Sequence, residues 1–176
     1  MRITGGTGRG RRLKAPTGPH VRPTSDKVKQ ALFNIIGDRI EGAAFLDLFA
    51  GAGGIGIEAL SRGARRVVFV DDSRESLSVV RINVEQAGFS DRAQLVLSKA
   101  DSFLGKPSGP YDIVFLDPPY AMELGPLLGL IAASGIVKPG DVIAEHFKKH
   151  PSPPAAGALT LYREARYGDT VLAFYR

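Results

Sequence analysis

Cysteine is absent from the 176 residues, which excludes disulfides and every metal site built on thiolates. Long apolar runs are absent too. No stretch approaches the ~18 residues that would suggest a membrane span, and the opening Met1-Arg2-Ile3-Thr4-Gly5-Gly6 has no apolar segment of a secretory signal. The expectation is therefore a cytoplasmic chain with no membrane attachment. Histidine is scarce, and His20, His146 and His150 lack metal-ligand spacing, so no metal is expected. Acidic residues are nearly missing from one end: residues 1–29 hold Arg2, Arg9, Arg11, Arg12, Lys14, Arg22, Lys27 and Lys29 against Asp26 alone. That segment carries +7 in a chain of net charge +5, leaving −2 for the rest. A basic segment beside a nearly neutral body points to a polyanion-binding extension, with a solvated terminus as the plain alternative.

What is present fits one domain. A hydrophobic content of 44% with 23% charged residues is ordinary for a globular chain of this length. Residues 1–21 read as a basic N-terminal extension, and residues 22–176 as the catalytic domain. In the extension, Arg2-Ile3 and Leu13-Lys14-Ala15 flank Gly5-Gly6-Thr7-Gly8, the pattern of a small β-hairpin. Thr24 or Ser25 can cap a helix whose apolar face is Val28, Ala31, Leu32, Ile35 and Ile36, with Gly37 as its stop. From Ala44 onward apolar strands alternate with helical patterns: strands at 44–48, 66–71, 93–97, 111–117 and 141–147, with helices between. That alternation predicts an α/β fold with a mostly parallel sheet covered on both faces. Segments 159–167 and 170–175 flank Gly168-Asp169 and carry no helical pattern, so they predict a closing antiparallel hairpin.

Gly51-Ala52-Gly53-Gly54-Ile55-Gly56 satisfies G-x-G-x-x-G between a strand and a helix. Glycines there permit a tight turn and close approach of backbone to a ligand. Twenty positions after Gly51, Asp71 ends the next strand, where a carboxylate can accept from both ribose hydroxyls of an adenosine-containing cofactor. Asp72 takes that role if the strand register slips by one. Asp47 precedes the turn. A carboxylate at this mouth serves a phosphate poorly but can bind the ammonium of S-adenosylmethionine; alternatively it anchors the loop through backbone N–H groups.

Val114-Phe115-Leu116-Asp117-Pro118-Pro119-Tyr120 is the most informative stretch. It is the carboxyl end of a predicted parallel strand, where open α/β sheets place their ligands. The two prolines stop the strand and remove two N–H donors. An acceptor-only carboxylate and a rigid carbonyl suit a substrate that presents N–H donors, as the exocyclic amine of a base does. Hydrogen bonds to Asp117 and the Pro118 carbonyl would direct the nitrogen lone pair at a methyl group, so catalysis is positioning and electrostatics. Tyr120 can stack on the base.

With these residues in view, the sequence resembles the class I S-adenosylmethionine-dependent methyltransferases, and Asp117-Pro118-Pro119-Tyr120 resembles their amino-methylating branch. More closely it is similar to the bacterial 16S ribosomal RNA guanine-N2 methyltransferases. Arg2-Ile3-Thr4-Gly5-Gly6, Arg9-Gly10-Arg11-Arg12-Leu13, Arg22-Pro23-Thr24-Ser25-Asp26, Leu46-Asp47-Leu48-Phe49-Ala50-Gly51 and Glu58-Ala59-Leu60-Ser61-Arg62-Gly63-Ala64 carry the similarity nearly end to end. The resemblance implies a Rossmann-like seven-stranded sheet ordered 3-2-1-4-5-7-6 with one antiparallel strand. It implies S-adenosylmethionine held by Asp47, Phe49, Ala50, Gly51 and Gly53, with Asp71 or Asp72 on the ribose and Ala100-Asp101-Ser102 near the adenine. Thr24 would close over the cofactor. Arg9, Arg11, Arg12, Lys14 and Arg22 would contact RNA phosphates. The expected partner is 16S rRNA in the 30S subunit or an assembly intermediate, and the expected state is a monomer.

Three rival readings remain open at this stage. The same tetrapeptide would support DNA adenine-N6 methylation, though the chain has no separate sequence-recognition domain. A nicotinamide-dependent oxidoreductase explains the glycine turn and Asp71 but gives Asp117–Tyr120 no role. A non-catalytic RNA-binding protein would have little use for either. The stretch His146-Phe147-Lys148-Lys149-His150 fits no motif; it is an RNA contact or a solvated loop.

Overall fold

The computed structural model describes residues 1–15, 24–106, 109–119 and 121–176, with Lys138 and Pro139 described by backbone alone. Strands β1 (Ala44–Leu48), β2 (Arg66–Asp71), β3 (Ala93–Leu97), β4 (Tyr111–Leu116) and β5 (Val137–Phe147) pair in parallel. The chain then closes with β6 (Ala155–Ala156), β7 (Leu159–Tyr167) and β8 (Thr170–Tyr175). The order is β3-β2-β1-β4-β5-β8-β7-β6, with β8 inserted antiparallel between β5 and β7. This is the class I methyltransferase arrangement. The two-residue β6 makes eight strands where the sequence led us to expect seven. It lies within a proline-rich loop, where two residues are too few to leave a period-2 pattern.

Among the described residues, five α-helices cover the sheet: α1 (Asp26–Ile36), α2 (Gly54–Ser61), α3 (Arg74–Ala87), α4 (Ala100–Leu104) and α5 (Leu124–Ser134). Alternation along the strands sorts side chains between two cores. Phe45, Phe69, Phe115, Ile143 and Phe174 pack under α1–α3, whereas Leu46, Val70, Val114, Leu116 and Ala144 pack under α4 and α5. Ser25, not Thr24, caps α1: its Oγ accepts from the Val28 N–H at 3.3 Å. That leaves the Thr24 side chain for another use.

The N-terminal segment forms an antiparallel bridge between Arg2 and Arg12 and docks on the body. Ile3 and Leu13 enter the α1–α3 core. The Gly8 N–H donates to Ser61 Oγ at 2.8 Å, and the Lys14 N–H to Asn83 Oδ1 at 2.7 Å. Beneath it, the fully buried Glu58 accepts from the Thr4 N–H and hydroxyl, both at 2.8 Å, and pairs with Arg62 at 2.8 Å and buried Lys29 at 3.6 Å. A buried charge is tolerated when it is paired and hydrogen-bonded on all sides, as Glu58 is. The boundary expected at residue 21 lies outside the described residues.

Candidate active site

The turn after β1 is held open by backbone geometry. Phe49 sits at φ 63°, the one non-glycine residue with positive φ among those described, followed by Gly51 at 53° and Gly53 at 78°. A bulky residue there is strained by about 1–3 kcal/mol and persists where its surroundings over-determine it, as at ligand sites. Two acids supply that constraint. Asp47, buried on β1, accepts from the Gly56 N–H at 2.9 Å. Asp71, at the end of β2, accepts from Gly51 N–H at 2.8 Å and Ser73 N–H at 2.9 Å. Gly56 is required by space: a Cβ there would lie 2.3 Å from the Phe69 ring and 2.9 Å from Asp47 Oδ2. The loop-anchoring role weighed for Asp47 is thus present in the structure.

Beside this turn lies a cavity of about 400 Å³. Phe49, Asp71, Asp72, Ala100 and Asp101 converge on it from three separate segments. Val70, Leu127, Leu130 and Met122 complete it with apolar surface; the last two are exposed large side chains at its rim. Asp47, Ala50, Gly51, Gly53 and Ser102 shape the neighbouring turn and helix without lining it. Asp101 Oδ1 accepts from the Ser102 N–H at 2.6 Å. Apolar walls with a few polar groups at one end suit the adenosine part of a ligand. The contribution of α5, through Leu127 and Leu130, and of Met122 just before it had no motif to announce it.

Asp117 follows β4 directly. In the sheet register Asp47 is opposite Phe115, and Leu116 opposite Ala144, so Asp117 emerges next to Glu145 of β5 on the α1 side. Pro118 is buried, Pro119 exposed, and the Pro119 carbonyl accepts from the Met122 N–H at 2.8 Å, turning the chain. Tyr120 lies outside the described residues. Burial pushes the Asp117 carboxyl up to about 7. Asp47 is raised well above the ordinary carboxylate range, chiefly by burial, and also by the charges of Asp117 and Asp71, with the Gly56 N–H opposing. Negative charge at Asp117 and Asp71 thus bears on Asp47, an arrangement suited to a cation and hostile to a pyrophosphate.

A second cavity, of about 320 Å³, is lined by Asp117, Thr24, Glu145, His146 and Tyr167 among others. Thr24 therefore faces this cavity, not the one beside the glycine turn, and its hydroxyl donates to Glu145 Oε2 at 3.0 Å. Sequence reasoning missed Glu145. His146 is buried behind it, with Nδ1 3.1 Å from the Phe147 carbonyl and Nε2 2.9 Å from Ser152 Oγ, whose hydroxyl donates to Glu164. These bonds clamp the 147–152 turn against the strand end. Arg9, Arg11, Arg12 and Lys14 are exposed on the hairpin, though the Arg11 guanidinium donates to the Ala87 carbonyl. Arg22 lies outside the described residues. Among the described residues no three His, Asp or Glu side chains are grouped to hold a metal ion.

The whole chain, residues 1–176, matches the family model described as Conserved hypothetical protein 95. The Bacillus subtilis protein YlbH is 39% identical, with 100% of this chain and 98% of that protein covered. Ribosomal RNA small subunit methyltransferase D of Escherichia coli is 34% identical over 100% of this chain and 89% of its own length. The solved Escherichia coli structure of yhhF, 33% identical, superposes with a TM-score of 0.88 over 99% of this chain and 96% of that one.

Proposed function

The chain belongs to the Conserved hypothetical protein 95 family, and from that premise we propose that it transfers a methyl group from S-adenosylmethionine to the exocyclic N2 of a guanine in 16S ribosomal RNA. The observation that carries the reading is Asp117: an acceptor-only carboxylate on a proline-fixed strand end, lining a polar cavity in the same sheet that carries an adenosine-sized one. Similarity to the Escherichia coli ribosomal RNA small subunit methyltransferase D supports ribosomal RNA of the small subunit as the polymer.

The donor set fits S-adenosylmethionine. Asp71 or Asp72 would accept from the ribose hydroxyls, Asp101 from the adenine amino group, and Asp47 would face the ammonium. Val70, Leu127 and Leu130 would cover the adenine. The negative charge of Asp71 and Asp117 bearing on Asp47 favours this cation over a nicotinamide dinucleotide. Bound there, the cofactor supplies an electrophilic methyl on a cationic sulfur.

The chain's own residues prepare the nucleophile. Asp117 and the Pro118 carbonyl accept the two N2 hydrogens, which withdraws the nitrogen lone pair from ring conjugation and aims it across the strand end. Once the N–C bond has formed, the nitrogen is cationic and its proton acidic. Asp117, with its carboxyl near 7, then takes that proton late in the reaction. Tyr120 stacks on the extruded base, and Arg9, Arg12, Lys14 and Arg22 bind phosphates without reading sequence.

Labelled S-adenosylmethionine presented with 30S subunits, naked 16S RNA and duplex DNA tests the proposal. Label is expected as N2-methylguanosine in one of the RNA substrates, and lost in Asp117→Ala while S-adenosylhomocysteine still binds. Label in DNA adenine, or full activity of Asp117→Ala, overturns it.

A further inference from the structure

A carboxylate and a carbonyl at the strand end accept an exocyclic amine without distinguishing guanine from adenine or cytosine. The base must be told apart by its other edge atoms, and those atoms would meet the cavity beyond Asp117. The sheet places one acid there. Glu145 follows Ala144, the partner of Leu116, so Glu145 and Asp117 occupy neighbouring positions on adjacent parallel strands, about 4.8 Å apart in the backbone. Ile113 and Phe115 share Asp117's side of the sheet, as Ile143 shares Glu145's, and all three pack in the α1–α3 core. Both carboxylates accordingly line one cavity.

Glu145 is 8% exposed, and its Oε2 accepts from the Thr24 hydroxyl at 3.0 Å, so the residue just before the cap of α1 fixes the carboxylate's orientation. A carboxylate has about four acceptor sites and no hydrogen to donate. Guanine is the base whose Watson–Crick edge presents two donors side by side, N1–H and the N2 amine. Adenine at N1 and cytosine at N3 present a lone pair beside their amine, and a lone pair against a buried carboxylate leaves both acceptors unsatisfied.

We infer that Glu145 is the specificity-determining residue, its carboxylate accepting from guanine N1–H beside the N2 amine held by Asp117. The inference rests on the function proposed above. It assigns the choice of base to β5, outside the cofactor cavity and outside the Asp-Pro-Pro-Tyr motif. Thr24 acts through Glu145 as a positioning residue.

The test uses the full chain and its RNA. Once the methylated guanine is located by mass spectrometry, that nucleotide is replaced by 2-aminopurine, which keeps the 2-amino group but carries a lone pair at N1. Wild type is expected to prefer guanine by about 10- to 100-fold in kcat/KM, the range of a hydrogen bond to a charged group. Glu145→Gln can either accept or donate at that position, so the preference should collapse toward unity. Affinity for S-adenosylhomocysteine and melting temperature should stay unchanged, which a merely structural role would not allow. Glu145→Asp, with the carboxylate withdrawn by one methylene, should retain part of the preference and serves if the glutamine variant fails to fold. Undiminished preference in Glu145→Gln, or equal use of both bases by wild type, overturns the inference and leaves the guanine-N2 reading standing. Methylation of adenine or cytosine by wild type overturns both.

Discussion

On the donor side, the cavity of about 400 Å³ is bounded by a turn whose shape is backbone: Phe49, Gly51 and Gly53 at positive φ, pinned through N–H groups by Asp47 and Asp71. On the acceptor side, the cavity of about 320 Å³ is made of side chains, with Thr24, Asp117 and Glu145 arriving from three distant stretches. A backbone-built site needs particular residues at fixed spacing and leaves a motif. A side-chain-built site needs only that the sheet bring the right atoms together, and Glu145 accordingly belongs to no motif. Asp117 lines the second cavity, and its charge reaches Asp47 beneath the glycine turn.

Asp117→Ala should separate the two sides most strongly. Transfer is expected to fall about 100- to 1000-fold, the range seen when one transition-state contact is removed, with S-adenosylhomocysteine affinity retained in calorimetry. Equal loss of both would merge the cavities into one functional unit. Asp71→Ala should do the reverse. It removes the anchor on Gly51 and Ser73 together with a ribose acceptor, so cofactor affinity should fall about 10- to 100-fold.

A subtler contrast is in pH. Transfer should rise as Asp117 ionises, with the ascending limb of the rate profile near pH 7. The folded-state pKa of this carboxyl lies above its unfolded value of 3.8. Its contribution to stability is therefore fully present below the unfolded value and lost as pH rises through about 7. Asp117→Asn should accordingly melt higher than wild type at pH 8, and this advantage should shrink toward pH 5. A flat difference across that range would remove burial of the charge as the cause. The smallest effects belong to the hairpin. Arg12→Ala or Lys14→Ala should weaken RNA binding a few-fold, lower the salt slope by about 1 each and leave melting unchanged. Arg11→Ala should also lower melting, because its guanidinium ties the hairpin to α3.

The same contrast governs what could be read without coordinates. Strands β1–β4 and the closing hairpin follow from apolar runs and alternation, and the glycine turn from its spacing. The cap of α1 was legible as Thr24 or Ser25, but choosing between two adjacent hydroxyls depends on which one points at Val28. Asp47 presented two roles, and the N–H of Gly56, nine residues away, displays one of them. Glu145 reads as a polar residue near the end of a strand; its neighbour across the sheet lies twenty-eight positions back, and no local period links them.

The sequence by itself determined the alternating architecture, the turn that glycines at 51, 53 and 56 make possible, the acceptor-only character of Asp117-Pro118-Pro119 and the positive charge of the first 29 residues. These are properties of spacing and side-chain chemistry, and they survive in one dimension. The tertiary structure alone decided that Thr24 holds Glu145, that α5 walls the donor cavity with Leu127 and Leu130, and that the charges of Asp71 and Asp117 act on Asp47. Those relations depend on which strands become neighbours and on which face each side chain emerges, and long-range pairing fixes both.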